Sequence, residues 1–139
     1  KPVMVNPYAL RNGPSGMAMV AAAGPMANVV VAVVFAIVFR LLASADLHTG
    51  FPGQVVVSVV VINLILALFN FVPIPPLDGY NAALALLPPR YGLTLQRYGQ
   101  YGMFILLGLI VLHVTRSPIN PLGWILGLAV SAARALLGI

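Results

Sequence analysis

The chain has no cysteine and no glutamate, and its only acidic residues among 139 are Asp46 and Asp78. Without thiols it forms neither disulfides nor thiolate metal sites, so a metal bound within it draws on the aspartates or on His48 and His113. Charge of either sign is scarce, at 6% of residues, against roughly 25% in an average soluble domain. The seven Lys and Arg residues stand singly, so the formal net charge of +5 does not describe a nucleic-acid surface. Serine nucleophiles are also unsupported, since no serine lies in a G-x-S-x-G context, and the glycines form no phosphate-binding loop.

What the chain does have is apolar sequence: 61% hydrophobic residues and a mean hydropathy of +1.05. Crossing a ~30 Å hydrocarbon core takes about 20 mainly apolar helical residues. Four segments fit that description to differing degrees, 17–43, 54–72, 98–114 and 121–137, the last two being shorter and carrying polar interruptions. The expected fold is therefore an all-α integral membrane protein, a single transmembrane domain over 1–139 with about four spans and a helix end broken by proline at 70–79. The connections at 44–53, 73–92 and 116–123 are too short for a soluble domain, and no internal repeat supports a transporter built from inverted halves. The chain opens on Lys1 with no signal-peptide pattern, and reads as a piece of a longer frame.

Four spans would put both termini on one side. Lys1, Arg11, Arg90, Arg97 and Arg134 then share that side, while Arg40 and Arg116 lie on the other. The positive-inside rule makes the first side cytoplasmic, the expected setting being a bacterial or archaeal inner membrane with lipid as the general partner.

The polar residues within this apolar background are few. In Phe69-Asn70-Phe71-Val72-Pro73-Ile74-Pro75-Pro76-Leu77-Asp78-Gly79, the prolines lack N–H donors and push the residues before them out of helix. The second span should end in an extended strip with free carbonyls, an edge for a peptide to pair against. Asp78 admits two readings: a cap for a short helix ending before Pro88-Pro89, or a functional carboxylate, since ionisable groups at membrane depth are costly and tend to mark sites. Asn28 follows Gly24-Pro25, which reads as helix initiation, and Asn28 and Asn63 read as hydrogen-bonding glue between helices. His113, on the order of 20 Å along the third span, should not meet Asp78.

Three elements in order resemble the site-2 protease family of intramembrane zinc metalloproteases, in its compact bacterial and archaeal branch. Asn70-x-x-Pro73-x-Pro75-x-Leu77-Asp78-Gly79 is similar to the family's N-x-x-P-x-P-x-L-D-G element. Ala23-Gly24-Pro25-Met26-Ala27-Asn28 is similar to its A-G-P-x-A-N element, and Lys1-Pro2-Val3-Met4-Val5-Asn6-Pro7-Tyr8 to the segment preceding that helix. The resemblance implies that Asp78 is a zinc ligand and that Asn70, Pro73 and Asn28 position a transmembrane substrate protein. In the family the other two ligands are the histidines of an H-E-x-x-H helix whose Glu is the general base. This sequence has no such motif. The chain alone is therefore expected to have no catalytic residue and no zinc. The alternative is a catalytically dead subunit of a larger membrane complex. A channel or transporter using Asp78 as a cation site would leave the ordered elements unexplained.

Overall fold

The computed structural model describes residues 13–139. Lys1–Tyr8 and Arg11, used above for the third motif and for the charge count, lie outside them. The described chain is helical throughout, in six helices: α1 (Gly13–Ser44), α2 (Phe51–Asn70), α3 (Asp78–Leu86), α4 (Pro89–Gly99), α5 (Gly102–Val114) and α6 (Pro121–Leu137). Such apolar sequence takes helix even where it is rich in valine, because in hydrocarbon each backbone N–H and C=O must find a partner within its own segment.

Of the four expected spans, α1 and α2 are each long and apolar enough to cross a membrane. The third differs from expectation: the helix does not run unbroken from Tyr98, but bends by 66° where Gly99 gives way to Gly102. Read as one bent span, the α4–α5 pair brings the total to three, while α6 is apolar but only 17 residues long. Small residues explain the elbow, since the tip of the Tyr80 ring sits over Gly99 and Pro75 sits over Gly102. Pro25 also departs from expectation. It initiates nothing, but lies buried in the interior of α1, where its missing N–H releases the Ala21 carbonyl from the helical ladder.

The core is a seam of α1, α2 and α6. Ala32, Ala36 and Phe39 of α1 and Ala129, Ala133 and Leu137 of α6 meet Val56, Val60 and Leu64 of α2. Alanines four residues apart on both outer helices leave a flat face, so the helices approach closely and gain dispersion contacts where lipid offers no hydrophobic drive. Arg40 ties the far end: its Nε donates to the Leu136 carbonyl at 3.1 Å, satisfying one of the orphan carbonyls at the end of α6. Gly138, left-handed at φ 79, closes that helix.

This contact fixes how α6 lies against α1. The short 45–50 connection makes α1 and α2 antiparallel, and the Arg40–Leu136 bond puts the end of α6 beside the end of α1. The C-terminal half of α6, from Ala129 to Leu137, is the part that packs on α2. Helix α5 starts against Pro75 and leads through the 115–120 turn into α6. The end of α6 therefore lies by the end of α1 and away from its beginning.

Candidate metal and peptide site

The α2–α3 junction is built from turns. The Phe71 and Val72 N–H groups bond back to Leu68 and Phe69, then Ile74 N–H donates to Val72 and Leu77 N–H to Ile74, both at 2.9 Å. The expected extended strip is thus a succession of tight turns. Its few remaining donors have closed onto local carbonyls, because the three prolines supply none. The carbonyl of Pro73 takes part in none of these bonds.

Helix α3 starts immediately afterwards, with Asp78 in its first turn. Leu77 is the capping residue and makes no side-chain cap bond, so Asp78 is not a capping residue; its carboxylate gains from the positive end of the helix dipole. Two glycines set its position. A methyl group on Gly79 would lie 2.6 Å from the Val72 carbonyl oxygen, so only glycine lets α3 press against the end of α2. A methyl group on Gly24 would lie 2.8 Å from Asp78 Oδ2, so the carboxylate rests on the bare face of α1. Asn28, four residues on, shares that face. Asp78 is half-buried and has no hydrogen-bond partner among the described residues.

The junction brings together the two motif elements within the described residues. Gly24 and Asn28 come from α1, Asp78 and Gly79 from α3, and Phe71-Val72, which follow Asn70, from the end of α2. Asn28 and Asn70 are half-buried and Pro73 is exposed. Asn63 behaves differently from the interhelical role expected of it, since its Nδ2 donates to the Val59 carbonyl of its own helix at 2.8 Å. The imidazoles lie elsewhere. His48 sits in the α1–α2 loop, edge-on to Phe39 with ring centroids 6.1 Å apart, and His113 Nδ1 is 3.2 Å from Asn120 Oδ1 at the α5–α6 turn.

Among the described residues no three of His, Cys, Asp and Glu gather. The junction thus offers zinc one carboxylate, a donor set too small to hold the ion as a resident metal. Two contributors escaped sequence reasoning. Gly24 stands in the A-G-P-x-A-N element, but its role as the seat of the carboxylate has no signal in spacing, nor has the reach of Tyr80 to Gly99.

Comparison with known proteins returns a related chain. The sequence is 29% identical over 116 residues to a Bacillus subtilis (strain 168) protein designated "Putative zinc metalloprotease YwhC", an alignment covering 80% of this chain and 53% of that protein. The chain thus spans about half the length of the curated relative it matches. No protein-family model and no solved structure matches it. Helical architecture, apolar helices of spanning length and similarity to a protein named as a zinc metalloprotease describe a membrane protein with a metalloprotease relationship.

Proposed function

We propose that this chain forms the C-terminal membrane core of an intramembrane zinc metalloprotease of the site-2 type, and that Asp78 is the carboxylate ligand of its metal. The observation that carries this reading is Asp78 itself: half-buried, seated on Gly24 and without a hydrogen-bond partner among the described residues. A carboxylate kept at membrane depth without a partner is costly unless a cation completes it. The remaining ligands would come from a segment outside this chain, in keeping with a relative of which the alignment covers 53%. Zinc, when bound, supplies Lewis-acid activation of a water.

The chain's own groups would bind and orient a transmembrane substrate. Asn28 and Asn70 carry amides that can donate to a peptide carbonyl, and the Pro73 carbonyl can accept from a peptide N–H. This chain alone is inactive in this reading, because it has no glutamate to move the proton.

The test is zinc content and intact mass of the protein purified from its native membrane, followed by Asp78→Asn. A mass well above 14.6 kDa with about one zinc per chain is the expected outcome. Loss of a positioning group alone weakens metal sites about 10–100-fold, so Asp78→Asn should cost at least that much in zinc affinity and abolish cleavage. A mass equal to this sequence with no zinc would overturn the protease reading in favour of a catalytically dead structural subunit.

A further inference from the structure

Helix α4 differs from its neighbours in composition. Its sequence, Pro89 to Gly99, holds two arginines and no acid, while α5, bent from it by 66°, has no Lys, Arg, Asp or Glu. One side of α4 is closed against α3. Leu95 and Gly99 lie beside Tyr80, and a methyl group on Gly92 would lie 4.0 Å from the Leu84 carbonyl oxygen. The rest of the helix is open, with Leu93, Arg97 and Tyr98 exposed. Arg97 has neither a hydrogen bond nor an ion pair among the described residues. The chain's two carboxylates lie elsewhere, Asp78 against Gly24 of α1 and Asp46 in the loop between α1 and α2.

We propose that α4 lies in the membrane interface and that Arg97, with Leu93 and Tyr98 around it, holds the headgroup of an anionic phospholipid. The inference does not depend on what Asp78 does. A straight continuation of α5 would carry Gln96, Arg97 and Gln100 along the line of an apolar helix, where a charge is costly. The bend removes that cost: with α5 directed into the bilayer, α4 at 66° to it runs nearer the membrane plane than the normal. Tyr98 and Tyr101 stand exposed at the elbow itself, the residue type that collects where hydrocarbon meets headgroups. The open side of α4 has the mixed chemistry of that boundary. Leu93 and the tyrosine ring suit the upper acyl chains, while the guanidinium, a planar fork of donors, suits a phosphate. Charge complementarity calls for an anion from outside the chain. An acidic protein is the poorer occupant, because the neighbouring surface of α5, with Phe104 and Leu107 exposed, belongs in hydrocarbon.

The test uses the full-length gene product extracted from vesicles of equimolar phosphatidylglycerol and phosphatidylcholine, with the retained lipid identified by mass spectrometry of the intact protein. Phosphatidylglycerol should be preferred by about 5-fold, the contribution of one arginine at an anionic surface. Arg97→Gln should remove most of that preference with helix content unchanged, while Arg134→Gln in the last turn of α6 should keep it. Equal retention of the two lipids by the wild type, or equal loss in both variants, would overturn the proposal. A benzophenone amino acid replacing Leu93 gives a second readout. A cross-link to phosphatidylglycerol is expected, and a cross-link to another protein alone would overturn the lipid in favour of an acidic protein partner. Inorganic phosphate added in excess should leave the lipid in place. Displacement by phosphate would reassign Arg97 to a soluble ligand and overturn the proposal.

Discussion

In the proposed reading the metal site depends on Asp78 and Gly24, which leave no room for a methyl group between them. Since a Cβ at position 24 would lie 2.8 Å from Oδ2, Gly24→Ala must push the carboxylate aside while leaving an alanine that suits the helix. The expected result is a helix content equal to the wild type by circular dichroism, with zinc affinity of the full-length protein down by about 10–100-fold. Gly79→Ala meets backbone instead of a movable side chain. It should lower the thermal midpoint as well as activity, by an amount in the range of about 1–3 kcal/mol expected for overpacking. At this scale the sequence was legible in part. The acidic residue after a proline run marked the position of the proposed site, because so few polar residues compete with it. The seat of Asp78 on another helix was not legible, because it depends on a contact between residues 54 positions apart in sequence.

The helices themselves were readable wherever apolar length decided the matter, as in α1 and α2. They were not readable where packing decided, as at the elbow. Tyr98 to Val114 looks like one apolar run, yet the helix breaks because Tyr80 and Pro75 fill the space above Gly99 and Gly102. The expected extended strip failed for a related reason: prolines forbid helix, but do not by themselves choose between open strand and closed turn. The seam gives the clearest prediction for elements. Ala133 is 1% exposed, so Ala133→Leu would force α6 away from α2 and destabilise the bundle by about 1–3 kcal/mol, read as a lower detergent-denaturation midpoint. Ala135→Leu, on the exposed side of α6, should be near neutral in the same assay.

For the whole molecule, the charge pattern cannot choose between topologies. Four crossings set Lys1, Arg11, Arg90, Arg97 and Arg134 against Arg40 and Arg116. With the elbow kept at one end, Arg116 and Arg134 change places and the tally is the same. Only the bond from Arg40 to Leu136 separates the two arrangements. A reporter fused after Ile139 should therefore share a compartment with one inserted in the 45–50 loop, not with one placed before Gly13. Activity of the Ile139 fusion in the compartment of the α1 start would restore the four-crossing arrangement.

The polar residues of the apolar helices carry one more consequence. Ser58 bonds to Gln54, Asn63 to Val59, Thr115 to Val111 and Ser131 to Gly127, each turning back one turn along its own helix. Each of those segments carries the hydroxyl or amide donor named here already paired within itself, so those donors need no neighbouring helix. Insertion and assembly are then separable events during biogenesis. A damaged seam should yield a chain fully integrated by alkaline extraction yet quickly degraded, its helices delivered to the bilayer but never gathered into a bundle.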